Sequence, residues 1–328
     1  MTNLLSSLKI KDLELTNRIV MPPMANELAD KKGYMNPEHI EHYLGRPEVG
    51  LIIVEHSYIN LEGKASPNQL GIYKDEQIPG LKELVDAVHK AGNKIGIQIN
   101  HAGSGATSRD IRGARNLAPS AVRHPGRENN EIPERLSVKQ MEKIKKDFVQ
   151  AAIRAKKAGF DMVEVHGAHG YLLNQFISPL TNQRNDNYGG SLENRSRFPL
   201  EVVEAVRNVL GKDYPLFFRL GCDDFLPDGL TVEDGIKIAP KLAAAGVDVI
   251  DLTGGLRGYE PAGNEEGFFV YLAEAIKPVT DAYILITGGI KTADFASKIV
   301  EENKTDLVGV GRALLKDKLW AKKAVEIL

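Results

Sequence analysis

Cysteine occurs once in the 328 residues, at Cys222. A lone thiol excludes an intrachain disulfide and any cluster held by several thiolates of this chain, and it fits a reducing compartment. An excess of either charge is lacking too: 42 basic residues stand against 44 acidic ones, a net charge of −2. That balance points away from nucleic acid and anionic membranes as main partners. No apolar run approaches the roughly 20 residues of a membrane helix. The opening MTNLLSSLKI lacks the basic flank and apolar core of a signal peptide, so a cytoplasmic protein is expected. No Pro/Gly/Ser-rich linker divides the chain, and a single domain over 1–328 is expected.

What is present is alternation. Runs rich in Val, Ile and Leu at 18–24, 49–57, 94–100, 161–167, 215–222, 247–253, 283–289 and 306–311 read as strands. Their polar residues hardly alternate, as parallel strands covered on both faces require. Amphipathic segments lie between them, such as GLKELVDAVHKAG, VKQMEKIKKDFVQAAIRAKKAG and VEDGIKIAPKLAAAG. Their closing Ala-Gly is a helix stop, since glycine takes the left-handed conformation cheaply. Eight such units predict an α/β (β/α)8 TIM barrel; a doubly wound open sheet would usually carry fewer strands per domain. SLKIKDLELTNRIV predicts a short N-terminal β-hairpin cap on the barrel floor. The connection from His101 to Ser137 leaves the C-terminal end of the third strand, where barrel active sites sit, and reads as a lid.

Polar residues collect where these strands finish: His56, Gln98, His101, His166, His169 and Arg219. On the last two strands, TGG (287–289) and GVGR (309–312) place Gly288, Gly289, Gly311 and Arg312 where barrels often bind phosphate. The plain alternative is a pair of tight turns with a solvated arginine. A metal reading of the histidines is weaker, because RIVMPPMAN ends the first strand without a ligand and no HExxH occurs. His39 and His42 share the three-residue spacing and are expected on a surface helix. The hexapeptide HGAHGY (166–171) suits proton and hydride chemistry. Two imidazoles can polarise one carbonyl, and Tyr171, a phenol protonated at neutral pH, can act as an acid. No side chain supplies hydride, so a cofactor is implied. Taken alone, the hexapeptide reads rather as two satisfied core histidines and a packed tyrosine.

The run HGAHGYLLNQFISPLTNQRNDNYGGSLENRSRF resembles the signature of the Old Yellow Enzyme family, FMN-dependent ene-reductases. LTNRIVMPPM, VGLIIVE, KIGIQINHAG, PLFFRLG and LVGVGRALL extend the likeness over essentially the whole chain. The resemblance implies tightly but non-covalently bound FMN at the barrel mouth, with NADH or NADPH as hydride donor. It implies that Pro23, Met24 and Ala25 line the flavin, with His56 beside the ring. Gln98 would bond its pyrimidine edge, Arg219 would stabilise the reduced ring, and Gly288, Gly289, Gly311 and Arg312 would hold the phosphate. His166 and His169 would bind the carbonyl oxygen of a small enone-type substrate, with Tyr171 protonating the α-carbon after hydride reaches the β-carbon. Glu27 stands where relatives often reach the substrate with a tyrosine. The family mechanism is ping-pong, and relatives form homodimers or tetramers.

Three further departures from the family pattern are visible. Ala25 occupies the place of a Cys or Thr near the flavin O4, so an altered reduction potential is expected. His56 replaces a small residue. The chain ends at Leu328 without an Arg-containing tail, a thiolate-held cluster or a second nucleotide domain, so electrons are expected directly from the nicotinamide. Other readings are a flavin-dependent quinone or oxygen reductase and a flavin-binding protein without ene-reduction.

Overall fold

The computed structural model describes residues 2–111, 113–127, 130–259 and 263–328. Eight parallel strands close on themselves: β1 (Ile19–Met21), β2 (Leu51–Tyr58), β3 (Lys94–Asn100), β4 (Met162–Gly167), β5 (Leu216–Gly221), β6 (Val249–Thr253), β7 (Tyr283–Thr287) and β8 (Leu307–Gly309). Each strand pairs with the next, and β8 returns to β1 through Val308↔Ile19 and Gly309↔Val20, which excludes the open sheet. The strands are the eight expected from the sequence, most of them trimmed. The β1 ladder stops at Met21 because Pro22 and Pro23 have no N–H to donate.

Helices cover the outside of the barrel. The longest, Val138–Ala158, starts at a capping box between Ser137 and Gln140 and ends at Gly159 with φ +92°, as its sequence predicts. Its buried face carries Ala151, Ala152 and Ala155, small side chains that let the helix lie close to its neighbours. Among the described residues, no helix is long and apolar enough to cross a membrane.

The hairpin is also present, pairing Leu8–Ile10 with Leu13–Leu15. Ile10, Leu13 and Leu15 pack against Val20, Leu51, Met162, Phe217, Val249, Leu285 and Leu307. These are inward positions near the starts of barrel strands, so the hairpin plugs the floor. One inward step higher, the period-2 alternation of strands sets Gln98, Glu164, Arg219, Asp251 and Thr287 at one level on β3 to β7. Another step brings His166 and Thr253 to the mouth.

One expectation needs correction. His39 does lie on a helix, Pro37–Leu44, but is wholly buried, not on the surface. That helix packs against β2: the Tyr43 hydroxyl accepts the Glu55 N–H at 3.1 Å, and His39 Nε2 lies 3.6 Å from Glu55 Oε1. The 101–137 connection, expected as a lid, carries secondary structure of its own. It forms a short parallel ladder between Leu117–Ala118 and Glu134–Arg135 and is bonded to the turn after β4. Leu172 N–H donates to His101 O at 3.0 Å, and His124 Nε2 donates to Gly170 O at 3.0 Å. Its described part is a wall fixed to that turn; Arg112, Glu128 and Asn129 lie outside the described residues.

Candidate active site

β4 delivers His166 to the mouth and hands over to a turn with two successive left-handed residues, His169 (φ +56°) and Gly170 (φ +69°). Gly170 needs its freedom twice, because an added Cβ would also run into the His124 ring. His169 has no such freedom, and strain of roughly 1–3 kcal/mol at a non-glycine residue is typically kept where the side chain has a task. The turn gathers the rings: His166 lies 5.2 Å from His169 and 5.0 Å from Tyr171, centroid to centroid. His56, from β2, joins them at 5.2 Å from Tyr171 and 6.3 Å from His166. The Arg127 guanidinium, from the long connection, lies 5.2 Å over the Tyr171 ring and donates to Gly105 O at 2.9 Å.

Hydrogen bonds fix the tautomers of two imidazoles. Ala168 N–H donates to His166 Nδ1 at 3.3 Å, so Nε2 carries the proton of the neutral ring. His56 Nδ1 accepts the Gln69 amide at 2.7 Å, and that amide is oriented because its Oε1 accepts Ala65 N–H at 2.7 Å. His56 therefore also presents Nε2–H. His169 Nε2 bonds the Thr253 hydroxyl at 3.1 Å. Burial pushes His166 and His169 well below the usual imidazole range, with His169 adding to the effect on His166 and the Arg219 charge to both. At neutral pH the rings are uncharged hydrogen-bonding groups.

Below them lies the polar layer. Gln98 donates to Glu164 Oε1 at 2.8 Å, Arg219 Nε pairs with Asp251 Oδ2 at 3.1 Å, and Thr287 donates to Asp251 Oδ1 at 3.1 Å. These groups meet because Gln98 and Glu164, and Arg219 and Asp251, are direct register partners. Burial and then the Asp251 charge push Glu164 up to about 8; burial pushes Asp251 up to about 6. Arg219 is 5% exposed and makes no hydrogen bond to any described residue beyond its pairing with Asp251.

The opposite side of the mouth is built from β1, β7 and β8. Pro23 is buried, Met24 half-buried and Ala25 exposed. A Cβ on Gly311 would lie 3.3 Å from Met24 Sδ, so the end of β8 touches the segment after β1. Gly288 and Gly289 (φ +69°) make room for Phe269 and Phe268, and the exposed Arg312 lies 5.8 Å over the Phe268 ring. Glu27 is exposed at φ +57°, its Oε2 accepting Asn68 N–H at 3.2 Å, outside the ring cluster.

Glu27 apart, the expected residues thus form two groups, one on β2 to β5 and the turn after β4, the other at the ends of β1, β7 and β8. Sequence reasoning missed Glu164 and Asp251, whose signal was a carboxylate inside an apolar strand at the level of Gln98 and Arg219. It also left unexplained the far half of the signature run. Arg184 there donates to Pro119 O and Leu136 O at 3.0 and 2.7 Å, and Arg195 to Ile177 O at 2.7 Å, so both arginines tie loops together. Among the described residues, no group of three or more His, Cys, Asp or Glu side chains could hold a metal ion. Clefts of about 320 and 380 Å³ flank the hairpin at the floor, far from the rings.

Comparison with known proteins agrees with this geometry. Residues 3–328 match the model of the NADH:flavin oxidoreductase / NADH oxidase family. The chain is 43% identical over 332 residues to an NADH oxidase of Thermoanaerobacter brockii, covering 99% of this chain but 51% of that protein. It is 40% identical over 329 residues to an NADPH dehydrogenase of Bacillus subtilis, covering 99% and 95%. Among solved structures, a 2-naphthoyl-CoA reductase complex superposes with a TM-score of 0.93 at 29% identity, covering 99% of this chain and 52% of that one. Morphinone reductase in complex with tetrahydroNAD superposes at 0.86 with 30% identity, covering 99% and 91%. The chain thus spans about half the length of some relatives and nearly all of others. With a closed barrel, a histidine pair at its mouth and a match from residue 3 to residue 328, the chain belongs to the NADH:flavin oxidoreductase / NADH oxidase family, the FMN-dependent enzymes that include the Old Yellow Enzymes.

Proposed function

We propose that the protein is an ene-reductase that takes hydride from NADH or NADPH and reduces the activated C=C bond of α,β-unsaturated carbonyl compounds by a ping-pong mechanism. The observation that carries this reading is the set of two neutral imidazoles and one phenol at a barrel mouth, rings 5.0–5.2 Å from His166. Neutral N–H groups at one oxygen stabilise negative charge as it develops there, and a preorganised donor of this kind is worth about 10²–10³ in rate. In this reading Tyr171, its ring 5.0 Å from that of His166, gives its proton to the α-carbon. Its ring is held by Arg127 above and His166 at its edge.

The residues fit FMN. Arg219 offers a nearly buried guanidinium with donors to spare, suited to negative charge on the pyrimidine side of the ring. Gln98 offers an amide, Pro23, Met24 and Ala25 an edge, His56 a neighbouring ring, and Gly288, Gly289, Gly311 and Arg312 a phosphate cradle. FMN, when bound, supplies the two-electron hydride chemistry that no side chain can.

The test is the visible spectrum of the purified protein, alone and titrated with a para-substituted phenol. The expected outcome is a flavin spectrum that gains a long-wavelength charge-transfer band as phenolate is held over the ring by His166 and His169. A flavin spectrum without the new band refutes the clamp. A protein that stays colourless after FMN is added refutes the cofactor. One feature favours a second acceptor class: His56 adds a third N–H beside Tyr171, which suits a quinone with two carbonyl oxygens. Turnover that ignores Tyr171→Phe would decide for the quinone.

A further inference from the structure

The barrel interior carries a buried acid that ene-reduction does not use. Glu164 lies one inward step below His166 on β4 and is fully buried. Its Oε1 accepts the Gln98 amide at 2.8 Å, while its Oε2 has no hydrogen-bond partner. Burying a carboxyl group for one hydrogen bond costs more stability than that bond returns, so packing does not explain it. An amide has two ends, one donating and one accepting. A carboxylate only accepts, so it turns the Gln98 NH2 toward itself and leaves the Gln98 oxygen free.

We propose, resting on the reading of the mouth as an FMN site, that Glu164 is a positioning residue: by accepting the Gln98 N–H it fixes the Gln98 carbonyl oxygen as the acceptor for the flavin N3–H. Gln98 on β3, Arg219 on β5 and Asp251 on β6 are the polar and charged groups that bear on Glu164. Burial, then Asp251, raise its pKa to about 8; Arg219 and Gln98 act the other way. Protonated, Glu164 can donate as well as accept, and then holds Gln98 in either orientation. Binding that needs the Gln98 oxygen selects the carboxylate, so FMN affinity rises as pH increases through that range.

The experiment strips the cofactor and titrates the apoprotein with FMN and with N3-methyl-FMN between pH 6 and 9, following flavin fluorescence. Wild type is expected to favour FMN by about tenfold, the effect of one well-placed hydrogen bond, with the preference growing with pH. Glu164→Gln, which offers both ends of its own amide, is expected to lose most of the preference and all of its pH dependence. Glu164→Asp, which keeps the carboxylate, is expected to recover part of both. Equal preference and pH profile in wild type and Glu164→Gln overturn the proposal. Should Glu164→Gln fail to fold, a wild-type preference that ignores pH overturns it. Wild type binding both flavins equally overturns it and leaves the FMN reading standing; wild type binding neither ends both.

Discussion

Gly167→Ala tests how His166 is held. Gly167 follows His166 at the end of β4, and an added Cβ would overlap Cζ and Cε1 of Phe218 on β5 and sit 3.0 Å from Arg219 O. Phe218 is 0% exposed, so its ring has no solvent to move into, and the carbonyl belongs to a strand ladder. Overpacking of this kind costs about 1–3 kcal/mol. Phe218→Val alone leaves a hole and loses part of the roughly 3–5 kcal/mol of a full Phe truncation. Combined, each relieves the other, because the new methyl enters the space the ring vacates. The double variant is therefore expected to be more stable than the sum of the single losses by about 0.5–3 kcal/mol, the range for residues in contact. Urea midpoints of the three variants measure this, and phenol titration reports whether His166 has moved. Gly167→Ala as stable as wild type, or strictly additive losses, would refute the packing argument.

His166→Ala removes a preorganised donor and is expected to slow enone reduction about 10²–10³-fold, with flavin reduction by nicotinamide affected differently; unchanged enone turnover in stopped flow would count against the clamp. Ala25→Thr is expected to move the flavin potential in a reductive titration, and a titration identical to wild type would sink the role given to position 25. Stability should peak near neutrality. His42, His56 and His124 are lowered to about 4 and His101 to about 3, mainly by burial, so below 6.5 the unfolded chain binds protons the fold refuses, and stability falls as pH drops toward 4. Glu164, raised from 4.5 to about 8, has the opposite sign: the fold binds the extra proton, and this contribution fades as pH rises through that window. Urea midpoints that are flat between pH 4 and 6.5 would contradict the histidine assignment.

The strands were legible because parallel barrel strands are buried on both faces, and a chain can announce that only by unbroken Val/Ile/Leu runs. KIGIQIN shows it: predicted at 94–100, it is found as Lys94–Asn100. The ring cluster was legible for a related reason, since strand ends in a barrel converge, so His56 and His166 meet although 110 positions separate them. What stayed hidden was sidedness in short elements. PEHIEHYL is half polar, and nothing local says that His39 and Tyr43 turn inward onto Glu55 while Leu44 is 40% exposed. The long connection, read as a lid, hid its anchors: Arg127 and His124 are committed to Gly105 O and Gly170 O. Those contacts are visible only once the turn after β4 is in place.

The same sidedness explains the chemistry. A strand offers the barrel interior every second residue, so a site at the mouth needs a supporting layer two positions earlier on each strand. On β4 these positions are Glu164 and His166, and on β6 Asp251 and Thr253. The upper members form the ring cluster or bond to it: Thr253 bonds His169 at 3.1 Å. Of the lower members, Asp251 pairs with Arg219 at 3.1 Å and Glu164 accepts the Gln98 amide at 2.8 Å. Separating the two levels keeps the imidazoles neutral: burial and Arg219 both oppose a proton on them, while Asp251 pairs with Arg219 lower down. A histidine directly against Asp251 would become a cation and bind anions; one step higher it stays a hydrogen-bond donor, which is what polarising an uncharged carbonyl requires.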